Sequence, residues 1–207
     1  MISMTNKTPK KFDDLVFPNH QTEKRVRQYA DGKRGGNIVF HGPPGTGKST
    51  TAKVIVEHIF KRHNCPNAVP VIHSKSFTET TFTRVENEFQ IQQSWGIEAP
   101  YVIVEEVDQL TPERQRLLRA KMDEITIGNF IFTTNKIYGL DDPFIDRCDD
   151  IEMPAINSTV WRDKVNEWLR EENVSAPQQV VDAMIATNNG TIRDLQRIAQ
   201  DIACEFE

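Results

Sequence analysis

The chain alternates between short apolar runs and longer stretches whose apolar residues recur every three or four positions. Runs at 38–41, 69–73, 101–105, 130–134 and 151–153 predict five strands. The run Tyr101-Val102-Ile103-Val104-Glu105 is continuous rather than alternating, as expected of a strand buried on both faces of a parallel sheet. Helical spacing predicts helices over 20–30, 48–60 and 77–93, and a fourth that starts at Pro112 and turns Leu117, Leu118, Met122 and Ile125 to one face. Asn19 is the expected cap of the first helix, and Asp31-Gly32 with Gly35-Gly36 ends it. Thr111, Pro112 and Glu113 form an N-terminal signature for the fourth. Strands that alternate with helices predict an α/β fold, a five-stranded parallel sheet flanked by helices. After Pro154 the strands stop, and helices are expected over 158–170, 177–187 and 191–206. The expected organisation is a polar, mobile arm (residues 1–11, with Lys7, Lys10 and Lys11) running into a short ordered segment at Phe12–Pro18, together 1–18; an α/β unit, 19–154; and a small three-helix lid, 155–207.

Composition narrows the class. A chain of 207 residues suffices for one α/β domain and a satellite. No run approaches the roughly 20 apolar residues that span a bilayer, and the polar N-terminus lacks a signal-peptide core, so a soluble, cytoplasmic protein without a membrane partner is expected. Cys65, Cys148 and Cys204 are too dispersed for a zinc site and read as reduced thiols. The net charge of −5 means that any contact with DNA needs a local basic surface.

The stretch His41–Thr50, HGPPGTGKST, adds chemistry. Gly42, Gly47, Lys48 and Ser49 occupy the fixed places of a G-x-x-x-x-G-K-[ST] phosphate loop, after a predicted strand and opening a predicted helix. Such a loop wraps backbone N–H groups of Gly42, Gly45, Thr46 and Gly47 to Thr50 around a phosphate, Pro43 and Pro44 shaping it without donating. Lys48 would meet the β- and γ-phosphates, and the Ser49 hydroxyl would hold Mg²⁺. Hydrolysis needs carboxylates as well. Glu105 and Glu106 end the 101–105 run, at the strand end where open α/β sheets bind ligands. Glu105 is the candidate Mg²⁺ ligand and Glu106 the candidate base for water; Asp108 also reads as the start of a turn. Asn135, at the end of 130–134, reads equally as a γ-phosphate contact and as a turn former.

Taken in order, GPPGTGKST, IVEEVD, FTTN, DDPFIDRC and GTIRDL make the chain resemble an AAA+ ATPase, and within that superfamily the small ATPase subunits of sliding-clamp loaders, phage types included, from about Thr8 to Gln200. A phage-encoded protein is therefore open. The resemblance implies ATP with Mg²⁺, and an oligomer of like or unlike subunits bridged by ATP that works on a sliding clamp or other effector protein and on primed or double-stranded DNA. It places Asn135 at the position that reads the γ-phosphate and Arg193 at the lid arginine that contacts its own subunit's nucleotide. Arg147 falls on the arginine that reaches a neighbour's ATP, and Val16 and Phe17 lie beside the adenine. An arginine given in trans is worth about 10³-fold or more in rate.

The chain also departs from that pattern. Lys7-Thr8 replace a Tyr-Arg pair, Glu105 stands where Asp is usual, and Asp146 replaces the Ser before the finger, where it would orient or partly neutralise Arg147. Only 14 residues follow Arg193, too few for the collar that holds clamp-loader rings, so a ring is expected to rest on AAA+ contacts, ATP or another polypeptide. Arg84, Arg114, Arg116, Arg119 and Lys121 are the candidate DNA-backbone contacts, read equally as a solvated face balanced by Glu113, Asp123 and Glu124. The functional expectation is an ATPase that assembles or remodels a DNA-associated complex. The alternatives are a slow nucleotide-gated switch or scaffold, and a helicase-loader or transposition-type regulator.

Overall fold

A computed structural model describes residues 7–66, 68–76, 78–155 and 157–206. The first six residues of the expected arm, the Phe77 start expected for the third helix, and Ile156 and Glu207 of the expected lid lie outside them. Five strands, β1 (Asn37–His41), β2 (Val71–His73), β3 (Tyr101–Glu105), β4 (Asn129–Thr134) and β5 (Cys148–Glu152), form one sheet in the order β2-β3-β4-β1-β5. Every pairing is parallel.

The continuous apolar runs are explained by what covers them. On each central strand alternate side chains enter two different cores. Ile38, Phe40, Tyr101, Ile103 and Ile131 pack with helices α1 (His20–Ala30) and α2 (Lys48–Arg62). Val39, Val102, Val104, Phe130 and Phe132 pack beneath α3 (Glu79–Ser94), α4 (Pro112–Glu124) and the short α5 (Asp142–Ile145). The period of two is intact, but both faces are dry, so no polar alternation is written into the sequence. Helices α6 (Ser158–Glu171), α7 (Gln178–Ala186) and α8 (Ile192–Glu205) gather around a third core that includes Trp161, Trp168, Leu195 and Ile202.

The capping signals hold: Asn19 accepts from the Thr22 N–H at 2.8 Å, and Thr111 from the Arg114 N–H. The starts of β1 and β4 come one residue earlier than expected, and those of two strands differ by more. β2 starts at Val71 because Pro70 has no N–H to give the ladder, although its carbonyl still accepts from Ile103 at 2.9 Å. β5 begins three residues before the predicted Ile151, running through Cys148, Asp149 and Asp150. Asp149 is tolerated there because Arg25, Arg34 and the Tyr29 hydroxyl, at 2.6 Å, surround its carboxylate. The helix α5 was not expected; Asp141 caps it by accepting from the Phe144 N–H at 2.9 Å, and Pro143 sits in its first turn.

Register sets up the site. Val104 lies beside Phe132, and His41 beside Thr134. The strands β3, β4 and β1 therefore end nearly level, and the residues just past their ends emerge at one edge of the sheet.

Candidate functional site

That edge opens into a cleft of about 980 Å³ between the sheet and helices α6 and α8. The phosphate loop forms its floor. Gly42 has φ 138°, and a Cβ there would lie 2.1 Å from the Met153 carbonyl oxygen, so only glycine fits between the loop and the chain leaving β5. Gly47 caps α2 with φ 91° and lies against the Ile192 side chain. Thr46 steadies the turn by donating its hydroxyl to the Pro43 carbonyl at 3.0 Å. Lys48 is 6 % exposed, and its ammonium donates to the carbonyls of Gly42 at 2.9 Å and Pro43 at 2.6 Å. Burial pushes this ammonium down to about 8, against the opposing pull of the Asp108 carboxylate. Pro44 through Thr51 line the cleft, Ser49 among them.

Glu106, Thr133, Thr134 and Asn135 form the wall opposite. Glu106 has a left-handed backbone, φ 59° and ψ 46°, unusual for a residue with a Cβ. Its N–H donates to the Thr133 hydroxyl at 3.2 Å and its carbonyl accepts from the Ser74 hydroxyl at 2.7 Å. Those two bonds hold the turn, and they place an exposed carboxylate at the cleft with Gln109 donating to it at 2.6 Å. Asp108 is more than a turn former. It accepts from the Thr134 hydroxyl at 2.9 Å and the Asn135 N–H at 3.2 Å, tying the end of β4 to the turn after β3.

Helices α6 and α8 supply the third side. The Ile192 N–H donates to the Gly45 carbonyl at 2.8 Å, so the start of α8 rests on the loop itself. Arg193, the next residue, lines the cleft and makes no hydrogen bond or ion pair among the described residues. The N-terminal segment bridges α2 and the end of α6: Lys7 pairs with Glu171 at 2.7 Å and Glu172 at 2.8 Å, while the Lys10 carbonyl accepts from Lys61 at 2.9 Å. Val16 lines the cleft, whereas the Phe17 ring is turned into the core, 5.7 Å from the Phe12 ring.

Arg147 is not in this cleft. It sits between α5 and β5, where its guanidinium grips Asp123 of α4 through Nε at 2.7 Å and Nη2 at 2.8 Å. Nη1 donates to the Pro143 carbonyl at 2.5 Å. Sequence reasoning pointed to Asp146 as the carboxylate beside this arginine. Asp123 makes the hydrogen bonds, and Asp146 adds only its charge.

A family model for the ATPase family associated with various cellular activities (AAA) matches residues 38–154, more than half of the chain. The chain belongs to the AAA family. Among curated relatives, replication factor C small subunit 1 of Pyrobaculum arsenaticum is 24 % identical over 195 residues, covering 93 % of this chain and 59 % of that protein. The replication factor C small subunit of Methanothermobacter thermautotrophicus is 25 % identical over 199 residues, covering 94 % of this chain and 61 % of that protein. This AAA chain thus spans about three fifths of the length of these relatives. Among solved structures, the RuvB Holliday junction branch migration motor of Thermotoga maritima superimposes with a TM-score of 0.70 at 14 % identity, over 97 % of this chain and 72 % of that one. At that identity the likeness concerns the fold.

AAA membership raises the question of a magnesium ion, and the residues fit one in donor chemistry. Ser49 and Glu105 offer hard oxygens, the kind Mg²⁺ takes. Glu105 is 6 % exposed, and its Oε1 makes no hydrogen bond among the described residues. The Lys53 ammonium lies 3.1 Å from that oxygen, close enough for charge but not aligned as a donor, and His73 Nδ1 lies 3.2 Å from Oε2. Glu105 is not among the residues that line the cleft, and Lys53 and His73 flank its carboxylate.

The five candidate DNA contacts of this AAA domain are not equivalent. Arg119 is paired with Asp141 at 2.5 Å, and Lys121 with Glu124. Arg84 and Arg116 are exposed and Arg114 half-exposed, with no ion pair among the described residues. Among those residues no helix is long and apolar enough to cross a membrane.

Proposed function

We propose that this chain is the ATP-hydrolysing unit of an oligomer that assembles or remodels a DNA-associated complex in the manner of a clamp loader. The observation that supports this most is the convergence of the phosphate loop, Glu106, Asn135 and Arg193 on one cleft while Arg147 lies outside its lining, bonded to Asp123. In this reading the loop N–H groups and Lys48 hold the triphosphate, and Glu106 takes the proton of the attacking water. Asn135 orients that water or the γ-phosphate, with its backbone fixed by Asp108. Arg193 lies against the phosphates from the lid, which already rests on Gly45. A magnesium ion held from Ser49 and Glu105 supplies charge neutralisation at the phosphates when bound. Arg147 completes the site of the neighbouring subunit, so turnover depends on assembly.

A slow nucleotide-gated switch is the second reading, favoured by the engagement of both carboxylates: Glu106 by Gln109, Glu105 by Lys53 and His73. Phosphate release measured over a range of protein concentration, with and without primed DNA, separates the two. The motor reading expects the rate per subunit to climb with concentration to a plateau. A rate per subunit independent of concentration overturns assembly-dependent hydrolysis. No turnover under any condition leaves the switch.

Lys48 adds a pH signature. Its free-state ammonium loses its proton at about 8, while a triphosphate beside it favours the protonated form. Binding therefore takes up a proton wherever the free lysine is neutral. Nucleotide affinity is expected to be level below about pH 8 and to fall above it, by at most about tenfold per pH unit for one linked proton. Calorimetric titrations in two buffers of different ionisation enthalpy read that uptake directly. An affinity that stays level across the alkaline range, with no proton taken up, contradicts it.

A further inference from the structure

A role for Arg147 on the next subunit's nucleotide requires its guanidinium to be aimed, and the inference drawn from its surroundings rests on that role. The backbone around Arg147 is fixed from both sides. Its N–H donates to the Phe144 carbonyl at 3.3 Å, and its carbonyl accepts from the Asn37 side chain at 3.2 Å. The side chain is fixed too. A guanidinium carries five N–H donors; the Asp123 fork takes one from Nε and one from Nη2, and Pro143 takes one from Nη1. Among the described residues the other two donors make no hydrogen bond.

The same contact could sequester the arginine, and magnitudes decide between the two roles. The Arg147 side chain is 34 % exposed and that of Asp123 55 %. An ion pair so exposed contributes little to stability, being screened by water. That is too little to hold a guanidinium back from a triphosphate, whose charge exceeds that of a single carboxylate. Because that net contribution already includes the entropy of holding both side chains in one geometry, the pair still favours one guanidinium rotamer. A second rung one turn earlier on α4, Arg119 with Asp141, fixes the segment that carries Arg147 against the same helix. The bidentate geometry therefore suits orientation.

We propose that Asp123 is a positioning residue for Arg147, orienting the guanidinium so that its two remaining donors are offered to the phosphates of a nucleotide in the adjoining subunit. Asp123 touches neither nucleotide itself.

The test is a double-mutant cycle on the full chain, read as turnover at saturating ATP and at a concentration where assembly is complete. Asp123→Ala is expected to lower turnover by about 10-fold to 10²-fold, the scale on which misplacing a catalytic group acts, with KM and ATP affinity unchanged. Asp123→Glu is expected to recover part of the loss. In an Arg147→Ala background the Asp123→Ala change is expected to do nothing further. Wild-type or faster turnover in Asp123→Ala overturns the proposal alone, the faster rate marking Asp123 as a restraint. A further loss in the Arg147→Ala background also overturns it, since Asp123 then acts through the packing of α4. Intact turnover in Arg147→Ala by itself removes the reading of Arg147, and this proposal with it.

Discussion

Glu106→Gln is expected to lower ATP turnover by about 10²-fold to 10⁴-fold, the usual contribution of a positioned general base, while ATP binding stays near wild type. The reasoning starts from the backbone. A left-handed residue with a side chain costs about 1–2 kcal/mol relative to an ordinary conformation, and Glu106 adopts one with φ 59°. Its N–H and carbonyl are held by Thr133 and Ser74, so the turn dictates the conformation and glutamine would inherit it. Glutamine fills the same volume but its amide cannot accept a proton. The substitution therefore isolates the chemistry. Glu106→Gly supplies the complementary measurement: it too should be inactive, yet unfold no earlier than wild type, because glycine occupies that conformation without strain. Turnover retained in Glu106→Gln would remove Glu106 from the role of base. A Glu106→Gly protein that melts well below wild type would instead mean that the carboxylate contributes to stability through Gln109.

Much of this was legible from the order of residues, and the reasons can be given residue by residue. The central strands stood out because both faces are dry, so Val102, Ile103 and Val104 form an unbroken apolar run. The loop, Glu106 and Asn135 stood out because each comes directly after such a run, and the level strand ends make that adjacency in sequence an adjacency in space. What stayed hidden depends on long-range pairing. Asp149 and Asp150 do not look like strand residues, and only the approach of Arg25, Arg34 and Tyr29 explains how Asp149 is accommodated in β5. Sequence displays neighbours, so the carboxylate it offers Arg147 is Asp146. The actual partner is 24 residues away on another element. Lys53 and His73 around Glu105 were invisible for the same reason. Nothing in the spacing of a motif marks which charge will face it across a fold.

Arg147→Ala is expected to reduce turnover by about 10³-fold at full assembly, the lower range for an arginine supplied to a transferring phosphoryl group. ATP affinity of the separate subunit should not change, because Arg147 is not among the residues that line its own cleft. Stability should change little, since the ion pair it loses is exposed. These three expectations distinguish a residue that acts elsewhere from one that holds its own domain together. Mixing gives the sharper measurement. In an oligomer of like subunits, an Arg147→Ala subunit keeps Glu106 but cannot serve its neighbour, and a Glu106→Gln subunit does the reverse. Where the two meet in the correct order, an intact Glu106 is joined by an intact Arg147, so two inactive proteins should regain measurable turnover when combined. An arginine acting on its own subunit's nucleotide could not produce that recovery, since no chain in the mixture would hold both groups. Mixtures no more active than their components would therefore count against action in trans, provided that each variant still assembles. Assembly is read separately, by sedimentation in the presence of a non-hydrolysable triphosphate. The distance between Arg147 and its own cleft then acquires a physical meaning: a subunit built this way holds its substrate but depends on contact with another for the charge that completes the reaction.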